Sequence, residues 1–285
     1  MRRIITVVVA VLVLGVGGSA SGMIVIYDQG FEVNSDGIID SPGPVTRVAS
    51  GGGTLGAPSG AGLYHAEVTL SNVYGEGFYT KNGGYSSVWP GYIRQSIKVY
   101  IDPSAGTVGD GYFWDAAINN AYGTWGRGGG FGVQKTGAGT WSLGAEDDRG
   151  GFGWVGNTAF THSNTTPLQI TVAGWYTLAT EWVETADGLW INQINNVYDI
   201  GGSLLWTDTV NKVMSGPLNM DPGQQDIKIG GIRYSWLGSE GVGNTMTLLA
   251  VDDVRAEVVP EPLTMLGMFL GLGSVGAYIR RRRRA

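Results

Sequence analysis

The chain has 285 residues and no cysteine, so disulfides and thiol catalysis are excluded. Glycine occurs 49 times and proline 10 times, a balance that marks a turn-rich globular protein rather than a collagen or a linker. The formal charge is −6.

Arg2 and Arg3 precede an apolar run from Ile4 to Val16, and Gly17-Gly18-Ser19-Ala20 supplies small residues for cleavage after Ala20. This is the layout of a signal peptide, residues 1–20, with signal peptidase as the first partner. The folded part is expected over residues 21–259, about the size of one large β domain. Met23 to Tyr27 is β-branched and apolar and predicts the first strand. Residues 28–54 are rich in Gly, Pro, Ser and Asp and predict loop with short strands. Over residues 93–101, Ile93, Ile97, Val99 and Ile101 fall on one face, and Arg94, Ser96, Lys98 and Tyr100 on the other. Asp102-Pro103 ends that strand.

Residues 111–156 interleave nine aromatic residues with 14 glycines. Phe131–Lys135 and Thr140–Leu143 predict a hairpin around Gly137-Ala138-Gly139. Residues 168–173 alternate. Residues 175–185 and 189–198 flank Ala186-Asp187-Gly188, a second hairpin, and residues 227–234 and 246–258 close the domain. Short strands separated by glycine turns, with no long amphipathic helix, predict an all-β antiparallel β-sandwich, a jelly roll of the concanavalin-like kind. An N-terminal signal helix and a C-terminal transmembrane helix complete the expectation.

The last 26 residues combine Pro260-Glu261-Pro262, an uncharged apolar run from Leu263 to Ile279, and Arg280, Arg281, Arg282, Arg283 and Arg284. Two prolines around one residue keep the tripeptide extended. As a helix the apolar run would reach about 25 Å, near the roughly 30 Å of a bilayer core. The arginines hold its end in the cytoplasm. This order of parts resembles the PEP-CTERM sorting signal of exopolysaccharide-producing Gram-negative bacteria, a tail also labelled an ice-binding-protein C-terminal domain. The resemblance implies export, transient anchoring in the inner membrane, and processing near Pro260, Glu261 and Pro262 by an exosortase-type protease. The product then resides at the cell surface or in the extracellular matrix. Without the two terminal segments the charge is 11 basic against 23 acidic residues, or −12. Such a surface excludes nucleic acid as a partner and favours neutral over anionic glycans.

Phe31-Glu32 and Val251-Asp252-Asp253-Val254 resemble the paired chain ends of jelly-roll carbohydrate-binding modules. Gly174–Leu178 with Asp187-Gly188, and Gly230–Trp236, resemble exported PEP-CTERM sandwich proteins. If first and last strands pair, Glu32, Asp252 and Asp253 come together as oxygen ligands for a structural calcium ion. Glu146-Asp147-Asp148 reads as a solvated acidic loop.

Catalysis is not expected. His65 and His162 have no acid–base spacing, and Glu181 and Glu184 point to opposite faces of one strand. The remaining signal is aromatic: 10 Trp and 13 Tyr, whose exposed faces would stack on sugars. A ledge is expected between Tyr112 and Trp154, with Trp125 and Trp154 on glycine-flanked turns as the glycan contacts and Trp175 and Trp182 in the core. Extended threonine arrays of an ice-binding face are not visible. The sequence thus predicts an exported, non-catalytic binder of extracellular polysaccharide, with a purely structural surface protein and a glycan-active hydrolase as the alternatives.

Overall fold

A computed structural model describes residues 23–41, 44–70, 73–82, 84–147, 164–219, 228–240 and 244–259. The signal segment, Pro260–Pro262, the apolar run, Arg280–Arg284, His162 and Trp154 lie outside the described residues. Among the described residues no helix is long and apolar enough to cross a membrane.

These residues form two packed antiparallel sheets. The first has the order β14 (Leu204–Ser215), β13 (Trp190–Tyr198), β12 (Gly174–Glu184), β6 (Tyr92–Ile101), β16 (Leu248–Val259), β4 (Tyr64–Thr69) and β3 (Val45–Ala49), with β1 (Ile24–Gln29) also on β16. The second has the order β11 (Leu168–Ile170), β10 (Thr140–Asp147), β9 (Gly129–Gly137), β7 (Gly111–Asn120), β15 (Ile229–Ser239), β5 (Gly77–Thr80) and β2 (Ile38–Ser41), with β8 (Trp125–Arg127) also on β7.

β6 shows why the sheets pack. Its alternate residues Ile93, Ile97, Val99 and Ile101 are buried in the sandwich, and Arg94 and Lys98 stay on the polar face. Opposite them, Tyr112, Trp114, Phe131, Val133, Trp141 and Leu143 fill the second sheet's inner face. Each aliphatic or phenylalanine side chain among these contributes about 1.5–3 kcal/mol on burial. Both predicted hairpins form, β9–β10 and β12–β13, with Gly139 and Gly188 at positive φ in their turns.

First and last strands do pair, Ile24 opposite Val258 and Gln29 opposite Val254. Between its β4 and β1 partners, β16 carries a bulge where its register with β6 shifts between Asp252 and Arg255, and Asp253 takes φ +47°. A strap of residues 50–63 lies over this part of the first sheet. Glu67 accepts hydrogen bonds from the amides of Thr54 and Leu55, Asp252 from that of Ala61, and Glu32 from those of Leu63 and Tyr64. Trp175 donates its indole N–H to the Pro58 carbonyl. Beneath the strap, His65, Trp175 and Ala250 are buried, with the strap's own Ala57 packed against them.

A buried polar group joins the two sheets near the β5 end. The Asn82 amide donates to Gln95 Oε1 at 2.8 Å and to Ser235 Oγ at 3.0 Å, and Ser235 Oγ donates to Gln95 Oε1 at 2.7 Å. Satisfied buried bonds of this kind hold one geometry. They fix the turn that follows β5.

Candidate functional site

That turn delivers Tyr85 to the outer face of the second sheet. The Ser86 amide donates to the Ile232 carbonyl at 3.0 Å, and the Gly231 amide donates to the Ser86 carbonyl at 3.2 Å. β15 has room for this insertion because its register with β7 shifts on both sides of Ile232. A Cβ at Gly231 would meet Ser86 and Val88 at 2.6 Å, so the close approach requires glycine.

Tyr85 then lines a trough of about 260 Å³ with Tyr79, Tyr234 and Trp236. Tyr79 stands directly opposite Trp236 on the neighbouring strand, and Tyr234 precedes Trp236 by two residues on the same face. Ring centroids lie 6.4 Å apart for Tyr79–Tyr234 and for Tyr234–Trp236, both edge to face. Trp236 is braced from behind by Phe113 at 4.8 Å, Tyr74 at 6.4 Å and a hydrogen bond from its indole to the Gly75 carbonyl. Burial, and then the charge of Asp115, raises the Tyr234 phenol above its usual range, opposed first by the charge of Arg233 and then by a hydrogen bond from Trp125. Trp125, 41% exposed, therefore stands at the rim. Arg233 stacks 4.6 Å from the Tyr85 centroid and donates to Asn119 Oδ1 at 2.9 Å.

The predicted ledge thus moves. Tyr112, Trp114, Phe131 and Trp141, all within the expected segment, are core residues, and Trp125 alone of the two named tryptophans can be placed. Trp175 and Trp182 are buried as expected, at 5% and 0% exposure. Tyr234 and Trp236 lie in the Gly230–Trp236 segment singled out above, but nothing local joins them to Tyr79 and Tyr85, because strand register brings together residues about 150 positions apart.

Other hollows are built differently. A groove of about 610 Å³ is lined by Thr54, Thr107, Thr245, Thr247 and aliphatic neighbours, with no aromatic ring. Another, near Tyr92 and Tyr198, holds Arg94, already paired with Glu181 at 3.7 Å and Glu257 at 3.0 Å.

Glu181 faces Arg94 and Asn196, while Glu184 accepts the Trp89 indole N–H at 3.0 Å, so the two share no groove. Glu32 and Asp252 hold the strap, and Asp253 pairs with Lys98 at 2.9 Å. Among the described residues no three His, Cys, Asp or Glu side chains converge as a metal site. Glu146 lies on β10, not in a loop. Its charge, after burial, pushes Glu240 up to about 10, and both Glu240 oxygens are buried without a hydrogen-bond partner among the described residues. Both also act on Tyr74, beside the trough. His65 is buried against Trp175, its centroid 5.9 Å away.

No family profile and no curated protein matches the sequence. Among solved structures, a protein of unknown function from Shewanella oneidensis MR-1 is similar at 11% identity over 86% of this chain and 90% of that one, with a TM-score of 0.46. A xylan-binding domain from Paenibacillus barcinonensis is 10% identical over 85% and 99%, with a TM-score of 0.39. A Bacillus licheniformis β-glucanase is 12% identical over 82% and 98%, with a TM-score of 0.35. Likenesses this distant carry no argument about function.

Proposed function

We propose that the chain is an exported, non-catalytic sandwich that holds extracellular polysaccharide on the trough of Tyr79, Tyr85, Tyr234 and Trp236. The observation that supports this is four rings gathered from β5, β15 and the intervening turn into one open hollow. Ring faces stack on the apolar faces of sugars, and side chains at the rim take hydroxyls. The signal peptide exports the chain, and the PEP-CTERM-like tail, with its exosortase-type protease, anchors and then releases it at the surface. A glycan array probed with the full-length chain in mild detergent tests the binding reading. Retention of a glycan by wild type that Tyr85→Ala loses supports it; no retained glycan, or retention unchanged by the variant, rejects it.

One observation favours a second reading, hydrolysis of a bound glycan. Burial, and then the Glu146 charge, raises the Glu240 carboxyl to about 10, a carboxyl pair of the kind that acid-assisted hydrolysis uses. Reducing ends released by wild type and not by Glu240→Gln would establish it. Equal, background release by both leaves the protein a binder.

A further inference from the structure

We infer that the trough takes an acidic sugar, with its ring on the tyrosines and its carboxylate at Arg233 and Lys81. The inference rests on the binding reading above and departs from the neutral glycan that net charge favours. Two cations flank Tyr85: the Arg233 guanidinium carbon lies 4.6 Å from its ring centroid, and Lys81 Nζ lies 5.8 Å away. Arg233 is also 5.7 Å from the Tyr234 centroid, so its planar group is caught between two lining rings. Among the described residues it is oriented by a hydrogen bond to the neutral amide of Asn119, and its buried Nε–H has no partner there. The ion pairs among the described residues engage Arg94, Lys98 and Arg255 and neither Arg233 nor Lys81.

The neighbouring anion, Asp115, acts on Tyr234 and is bound to the Gly129 amide at 2.7 Å. A guanidinium fork fixed in plane by stacking suits a carboxylate, which it can hold by two parallel bonds. Lys81, on an exposed turn pinned through Asn82, adds a second charge from the open side. The acidic remainder of the surface does not cancel this attraction, because salt screens charges beyond about 8 Å at physiological ionic strength.

The test uses the full-length chain in mild detergent with oligosaccharides of galacturonic, glucuronic and mannuronic acid, each beside its carboxyl-reduced, neutral counterpart. At least one acidic oligosaccharide should bind about tenfold or more tightly than its reduced form, as expected for hydrogen bonds to a charged group. Arg233→Gln should abolish that preference, bringing the acidic affinity down to that of the reduced form, and Lys81→Gln should weaken the preference several-fold. Equal binding of acidic and reduced forms overturns the inference and leaves the stacking trough standing. So does an equal loss of both affinities in Arg233→Gln, which would make Arg233 a ring-positioning residue; unchanged melting of that variant rules out misfolding. No affinity for any glycan, acidic or neutral, defeats the trough reading together with the inference.

Discussion

Tyr85 is 46% exposed and Trp182 is fully buried, and the difference separates binding from folding at the level of single rings. Truncating Tyr85 should leave the melting temperature nearly unchanged and weaken glycan binding by about 2- to 10-fold, the range of one aromatic contact. Trp182→Ala should instead cost about 3–5 kcal/mol of stability in a denaturant titration. A large destabilisation by Tyr85→Ala would assign that ring to the core. Asp252 offers a second residue-level prediction. Burial lifts its carboxyl from 3.8 to about 7, against opposing hydrogen bonds from the amides of Ala61 and Asp253. The folded chain therefore binds a proton there that the unfolded chain has released. The stability this proton confers is complete below pH 3.8 and is lost as pH rises to about 7. Wild-type stability measured relative to Asp252→Asn should fall across that window. His65, held low by burial, has the opposite dependence but is common to both proteins and cancels. Parallel curves would contradict the assignment.

The strap shows what an element owes to a few carboxylates. Gly62 takes φ +71°, and a side chain there would run into the Glu32 carboxylate. Glu32→Ala should speed amide exchange at Leu63 and Tyr64, whose amides donate to it, without loosening β6; unchanged exchange would show that the strap holds without Glu32. If calcium acts through Glu32, Asp252 and Asp253, a chelator should lower the wild-type melting temperature and spare Glu32→Ala. Equal melting with and without chelator assigns these groups to the strap. Strands with one polar face were legible: β6 shows its period of two because Arg94 and Lys98 meet water. β7 was not, since all ten of its residues are buried and no alternation survives. Its glycine-rich neighbours suggested an exposed ledge, whereas Tyr112 and Trp114 point into the sandwich. Trp125, expected on a glycine-flanked turn, instead begins β8 and pairs with Asn119 of β7. Tyr79 opposite Trp236 could not be found, because register is written in no local pattern.

For the whole molecule, the pairing of β1 with β16 brings the two ends of the sandwich side by side. A chain ending at Val259 should therefore melt as the full-length protein does and leave the membrane fraction; loss of solubility would place Leu263–Ile279 in the fold. Mass spectrometry of the surface form from the native host should find a terminus near Pro260–Pro262, and an intact Arg280–Arg284 would contradict sorting. The central claim is that this fold exists to present one ring-lined trough to polysaccharide. Its most direct test is titration calorimetry of an array-selected oligosaccharide into wild type and Tyr85→Ala. The account predicts saturable binding by wild type and affinity reduced by about 2- to 10-fold in the variant at equal melting temperature. Identical isotherms for the two proteins would contradict it.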